Sequence, residues 1–102
     1  MIVEQGILNV VPGREDEFEA AMQEASAIIA SMPGFQRLQV SRGIENPATY
    51  LLLVEWDTLE HHTEGFRGSA PYQQWRQLLH HFYDPFPVIE HFSPVVSVVP
   101  SD

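Results

Sequence analysis

The stretch Thr49-Tyr50-Leu51-Leu52-Leu53-Val54-Glu55-Trp56 decides the fold. Read with a period of two, Tyr50, Leu52, Val54 and Trp56 share one face, and Leu51 and Leu53 share the other. A strand that is apolar on both faces belongs in the middle of a sheet covered on both sides. The neighbouring segments must supply both the other strands and the covers.

Downstream, Asp57 offers an N-cap, and Glu60 lies three residues on, the spacing of a capping box. The helix it starts carries Leu59, His62 and Phe66 on one face and ends near Gly65 to Gly68. Ser69 predicts a second cap, and Tyr72, Trp75, Leu79 and Phe82 form the inward stripe of the next helix. Asp84-Pro85-Phe86-Pro87 breaks the chain, and Val88 to Val99 predicts a last strand interrupted at Pro94, which has no N–H for a ladder.

Upstream, Phe35 to Arg42 alternates as a strand, joined to the opening stretch through the turn signal Asn46-Pro47. Before it, Arg14 to Met32 predicts a helix with Phe18, Ala21, Met22, Ala25, Ile28, Ile29 and Met32 on one stripe. Glu15, Asp16 and Glu17 in its first turn suit the positive end of the helix dipole, and Pro33-Gly34 stops it. Ile2 to Val11 is the first strand, ended by Pro12-Gly13. Glu4 shares a face there with Ile2, Gly6, Leu8 and Val10.

The order strand, helix, strand, strand, broken helix, strand is the split βαβ pattern of an α+β, ferredoxin-like domain over residues 1–102. It implies a four-stranded antiparallel sheet with helices on one face. Two helices cover one face only, and the apolar residues of the other face predict burial against a second copy of the chain. A chain of 102 residues without cysteine has no disulfide to add to a small core, so a homodimer is the natural supplement.

The formal charge is −9, from 14 acids against five arginines, with no lysine. No basic patch exists to hold a phosphate backbone or an anionic membrane, so nucleic acid and membrane partners are not expected. The first residues lack a basic region followed by an apolar core, and no apolar run approaches a membrane span, which leads to the expectation of a cytoplasmic protein. The missing lysine also removes Schiff-base chemistry.

The residues that could carry chemistry crowd into Trp56 to Phe82, which holds four of the five histidines and both tryptophans. His62 lies on the apolar face between Leu59 and Phe66, where a neutral imidazole could take a phenolic or carbon-bound proton. The same position suits a core histidine bonded to a backbone carbonyl. Phe66, Tyr72 and Trp75 could wall a flat aromatic ligand or simply pack the core. Tyr50 and His91 could turn polar tips to the same cavity, and Arg37, Arg67 and Arg76 could orient an anionic oxygen, unless they serve as surface ion pairs. His61, His80 and His81 read as surface residues. No His-x-x-His or His-x-x-x-His spacing occurs, so no metal is expected, with a site assembled from distant histidines as the alternative.

Taken together, the pieces resemble the antibiotic biosynthesis monooxygenase family of dimeric α+β barrels. The matching pieces are Val11-Pro12-Gly13-Arg14-Glu15-Asp16-Glu17-Phe18, Met32-Pro33-Gly34-Phe35, Glu55-Trp56-Asp57-Thr58, His62 with Phe66-Arg67-Gly68-Ser69, Tyr72-Gln73-Gln74-Trp75 and Val88-Ile89-Glu90-His91-Phe92. The resemblance implies two sheets packed face to face in a dimer, with a pocket in each subunit between the sheet and the second helical region. It also implies a monooxygenase that acts with O2 on phenolic or polyketide-like aromatic substrates and needs no metal, flavin or haem. On that reading His62 is the base, Arg76 or Tyr72 holds the oxyanion, and Trp75 stacks on the rings. Phe66, Tyr50, His91 and Arg37 complete the binding site. A haem-degrading branch of the same fold implies an asparagine, a tryptophan and a histidine where this chain has Gly6, Phe66 and Arg76. The other function class is a non-catalytic dimer that binds a small apolar ligand or serves under stress.

Overall fold

A computed structural model of the chain describes residues 1–101. Four strands form one antiparallel sheet: β1 (Ile2–Asn9), β2 (Phe35–Arg42), β3 (Thr49–Trp56) and β4 (Ile89–Phe92). Their spatial order is β2-β3-β1-β4. Two helices, α1 (Glu15–Ala30) and α2 (Ala70–Leu79), lie against one face. This is the ferredoxin-like arrangement expected from the element order.

Register determines what each face carries. Tyr50, Leu52, Val54 and Trp56 of β3 are buried under the helices, in alternation with half-buried Leu51, Leu53 and Glu55. On β1, Glu4, Gly6, Leu8 and Val10 point to the same covered side. β1 pairs with β3 from Ile2↔Trp56 to Asn9↔Thr49, and with β4 through Glu4↔His91 and Gly6↔Ile89. Glu4 and His91 are therefore cross-strand neighbours on the helix side. The core joins Leu8, Val10, Val54 and Trp56 to Phe18, Met22, Ala25 and Ile29 of α1 and to Trp75 and Leu79 of α2.

α1 is shorter than the expected Arg14 to Met32, and four further features differ from the sequence expectation. β1 ends at Asn9, after which Val10 makes an isolated bridge to Tyr83. β4 stops at Phe92, before Pro94, and Val95, Val96, Val98 and Val99 are exposed instead of continuing a strand. A proline that cannot donate, placed directly after the last paired residues, ends the ladder. The capping box at Asp57 does not form, because the Asp57 carboxylate accepts a hydrogen bond from the Gln36 side chain. Thr58 caps instead, its Oγ1 accepting from the His61 N–H at 3.3 Å. Finally, His61–Phe66 is a π-helical turn, closed by the Arg67 N–H donating to the His62 carbonyl at 3.1 Å. Such widened turns recur where a side chain must be turned inward.

The turn after α1 depends on Gly34, whose φ is +80° and whose missing Cβ makes room for the His61 ring. That contact seats the π-helical turn against the end of β2. Ser69 caps α2 as expected, accepting from the Tyr72 N–H at 3.3 Å. The segment after α2 is tied back to β1 by the Val11 N–H to the Phe82 carbonyl and the Asp84 N–H to the Asn9 carbonyl. These bonds hold Tyr83, Phe86 and Pro87 over the sheet.

No helix among the described residues is long and apolar enough to cross a membrane.

Candidate functional site

A cavity of about 330 Å³ lies between the sheet, the π-helical turn and α2. β1 and β3 supply its floor through Glu4, Leu8 and Leu52, and the helical side contributes His62, Phe66, Arg67, Tyr72 and Trp75. The tied-back segment and β4 close the far side with His80, Tyr83, Phe86, Pro87 and Ile89. The volume is at the lower end of that seen for small-molecule sites.

Phe66 is the centre of the aromatic wall. Its ring meets Trp56 at 5.8 Å, Tyr72 at 5.1 Å and Trp75 at 5.6 Å between centroids, the last two edge to face. The spacing of Phe66, Tyr72 and Trp75 across a capped turn brings them together, because Ser69 starts α2 at the angle that folds its first turn back on the π-helical turn.

Glu4 and His62 are the buried polar residues, 6% and 3% exposed. Glu4 Oε1 accepts from the Trp56 indole N–H at 3.0 Å and lies 3.3 Å from His62 Nε2. His62 Nδ1 lies at hydrogen-bond distance, 2.8 Å, from His91 Nε2, so His62 sits between Glu4 and His91. The His62 ring also stacks on Trp56 at 5.7 Å. Burial pushes the Glu4 carboxyl up from 4.5 to about 7, although the Trp56 hydrogen bond and the Arg67 charge pull the other way. Burial drives the His62 imidazole down to about 3, helped by the charge of Arg67 and by His91. His91 and His80 are also lowered, chiefly by burial, then by Arg67 and Arg76 respectively. Burial pushes the Tyr83 phenol up.

These shifts describe an uncharged imidazole beside a carboxyl that titrates near neutrality. Such a carboxyl can take or give a proton at physiological pH. Among the described residues no three His, Asp or Glu side chains converge as a metal-binding group. Glu4 and His91 lie at opposite nitrogens of His62.

Of the residues singled out in the sequence, His62, Phe66, Tyr72 and Trp75 line this cavity, and His91 joins it through His62. Arg37, Arg76 and Tyr50 do not. Arg37 is exposed on the uncovered sheet face, 3.8 Å from Glu55, because its position on β2 has the wrong parity to reach the helix side. Arg76 lies on the outer side of α2 and donates to Gln73 at 3.2 Å. Tyr50 points to the helix side, but at the α1 end, where its hydroxyl donates to Glu19 at 2.6 Å. Among the three arginines considered for an oxyanion, Arg67 alone lines the cavity. His80 is half-buried in the cavity wall, not a surface residue. Glu4 was not expected in the site. Its signal was an acid on a strand face otherwise made of Ile2, Gly6, Leu8 and Val10.

The fold and cavity define a ferredoxin-like α+β domain with an aromatic-walled pocket under its second helical region. The model of the family described as antibiotic biosynthesis monooxygenase matches residues 1–78, and the chain belongs to that family. It is 52% identical over 95 residues to the uncharacterized protein YczJ of Bacillus subtilis (strain 168), covering 93% of this chain and 100% of that one. A crystal structure from Bordetella bronchiseptica that carries the same family name is 35% identical, with a TM-score of 0.89 over 93% of this chain and 97% of that one. SnoaB of Streptomyces nogalater, described as a cofactor-independent oxygenase, shares the fold with a TM-score of 0.74 at 18% identity, over 98% of this chain and 97% of that one.

Proposed function

We propose that this protein is a cofactor-independent monooxygenase that acts with O2 on a phenolic or polyketide-like aromatic substrate. The observation that carries the reading is a buried carboxyl–imidazole pair, Glu4 and His62, at the floor of an aromatic-walled cavity. O2 is a triplet and reacts slowly with closed-shell organic molecules. Loss of a proton makes a phenol or an activated CH2 electron-rich enough to reduce O2 directly. One electron passes to O2, the two radicals combine in a carbon–oxygen bond, and the peroxide takes back a proton. Loss of the remaining C–H proton and of hydroxide then leaves a ketone and water, so that R2CH2 and O2 become R2CO and H2O. Phe66, Tyr72 and Trp75 hold flat rings, and they exclude the water that would divert the intermediates. Arg67 and the Tyr72 hydroxyl hold the developing oxyanion. The description of SnoaB as a cofactor-independent oxygenase supports the same chemistry.

The working form on this reading is a homodimer joined through the uncovered sheet faces. Val3, Ile7, Leu51, Leu53 and Phe92 make an apolar centre there, with Ile7 and Phe92 about half exposed. A contiguous apolar patch on a small domain marks an interaction surface. A sedimentation mass near 11.6 kDa at micromolar concentration would overturn the dimer.

Oxygen uptake with a dihydroxyanthrone, using chelator-treated protein without flavin, tests the activity. One O2 consumed per anthrone converted to the quinone is expected. Turnover that vanishes on chelation, or that requires added flavin, would overturn the cofactor-free reading.

A further inference from the structure

A base that works inside an apolar cavity takes and returns protons during turnover, and it needs a path by which its protonation equilibrates with solvent. His62 Nδ1 is held by His91 Nε2 at 2.8 Å, and Nε2 faces Glu4 Oε1 at 3.3 Å, at ion-pair distance but without hydrogen-bond alignment. Glu4 offers a carboxylate oxygen as well. Its Oε1 is taken by Trp56 and His62, whereas Oε2 has no hydrogen-bond partner among the described residues. No fully buried side-chain nitrogen or oxygen among those residues lacks a partner, so Oε2 is not fully buried, and Glu4 lines the cavity. At the other end, His91 is half-buried on β4, at the edge of the sheet, and its Nδ1 is likewise unengaged and reached by solvent.

We propose that Glu4 is the catalytic residue that takes the substrate's proton, and that His62 and His91 form a wire carrying it from the buried carboxyl to the edge of the sheet. This rests on the monooxygenase reading for the substrate's identity, but the wire itself does not.

The wire has two states that differ by one proton. With Glu4 ionised, Oε1 accepts from Trp56 Nε1–H, His62 Nε2–H turns toward it across 3.3 Å, and His62 Nδ1 accepts from His91 Nε2–H. With Glu4 protonated, its O–H donates to His62 Nε2, His62 Nδ1–H donates to His91 Nε2, and His91 holds its proton on Nδ1. Passing from the second state to the first moves one hydrogen across each contact and releases one from His91 Nδ1. No electrons are gained or lost. A proton received at Oε2 enters this path when the carboxyl rotates about Cγ–Cδ.

The titratable and charged groups facing this row are Arg67 at the end of the π-helical turn, Tyr72 on α2, and His80 and Tyr83 beyond it. The charge of Arg67 opposes an imidazolium at either histidine. The histidines therefore transmit the proton without storing it, and the carboxyl, at about 7, is the group that holds it.

Nitrogen-15 spectra of the imidazoles in the substrate-free protein test the wire directly. As pH falls through the titration of Glu4, His62 and His91 are both expected to change from Nε2–H to Nδ1–H while staying neutral. In Glu4→Gln the change is expected to disappear. A single His62 tautomer from pH 5 to 9, or an ordinary imidazolium titration of His62, would overturn the wire. With an anthrone that the wild type oxidises, Glu4→Gln is expected to lose about 10²–10⁴ in rate, the usual worth of a general base. His91→Ala is expected to slow by at least about tenfold and to recover with added imidazole. His91→Gln keeps a donor for His62 but cannot relay, so it is expected to fold and remain slow. Full activity in His91→Gln would make His91 merely structural and overturn the wire, and Glu4→Gln within tenfold of wild type would overturn the assignment of Glu4. If the wild type oxidises no anthrone, the monooxygenase reading fails, and the tautomer measurement still decides the wire.

Discussion

Two hollows lie on the helix-covered side of this sheet, and they hold their charges in opposite ways. The larger, about 370 Å³, sits between α1 and the β2–β3 edge and is lined by Phe18, Met22, Leu38, Val40 and Tyr50 among others. Its polar groups are satisfied at the surface. Tyr50 donates to Glu19 at 2.6 Å, and Arg42 reaches Glu19 at 3.3 Å and Glu15 at 4.0 Å. Exposed pairs of that kind contribute about 0–1 kcal/mol each and do little besides. The smaller hollow has no such neutral balance. Its carboxyl is buried against an uncharged imidazole, with no arginine within ion-pair distance among the described residues. The larger space is thus a packing groove with a tied-off rim. Burial and Glu19 push the Tyr50 phenol of the larger one further above neutrality, whereas the smaller one keeps a proton in play near it, and a group that titrates near neutrality in an apolar cavity marks the candidate site better than volume does.

If the hollows differ in electrostatics and not in packing, removing an aromatic side chain from either should cost about the same. Phe18→Ala and Phe66→Ala delete rings that are 0% and 2% exposed, and each is expected to lose about 3–5 kcal/mol in chemical denaturation. A large inequality would break the comparison at its base.

The electrostatic difference should appear in how stability depends on pH. The Glu4 carboxyl binds its proton more tightly in the folded state, so its contribution is complete below about 4.5 and is lost as pH rises through about 7. His62 does the reverse: held neutral, it lowers stability as pH falls from 6.5 toward about 3. The two slopes oppose each other between about 4.5 and 6.5, where wild-type stability is expected to be nearly flat. Glu4→Gln keeps acceptors for Trp56 and removes one slope. Its stability relative to wild type is expected to improve by about 3 kcal/mol between pH 4 and pH 8. Parallel curves for the two proteins would mean that the carboxyl is not strongly perturbed.

Smaller effects sharpen the same contrast. Tyr50→Phe removes one hydrogen bond at the rim of the larger hollow and is expected to cost about 1 kcal/mol in denaturant midpoint. It is expected to leave any anthrone oxidation unchanged. Arg76→Ala, on the outer side of α2, is expected to stay within about 0.5 kcal/mol of wild type and to keep its activity. A loss of turnover in either would extend the working site beyond the smaller hollow.

Much of this molecule follows from residue order alone. The two-sided apolar run Tyr50 to Trp56, the stripe from Phe18 to Ile29 and the punctuation at Pro12-Gly13 and Pro33-Gly34 determine the strands, α1 and their succession, because periodicity and turn chemistry are local properties. They also place Phe66, Tyr72 and Trp75 on inward faces. Tertiary structure decided the rest. The π-helical turn depends on His61 finding room over Gly34, some 27 residues earlier in the chain, and Asp57 leaves its capping role because Gln36 reaches it from β2. His62 is legible as inward between Leu59 and Phe66, whereas Arg76 directly follows Trp75, and the stripe of Tyr72, Trp75 and Leu79 does not say how far around α2 the inward face extends. Glu4 shows the limit most clearly. The sequence marks it as an acid on an apolar face, but its partners Trp56, His62 and His91 come from three other segments. Their approach, through strand pairing and helix docking, buries the carboxyl, which raises its pKa, and sets His62 between Glu4 and His91.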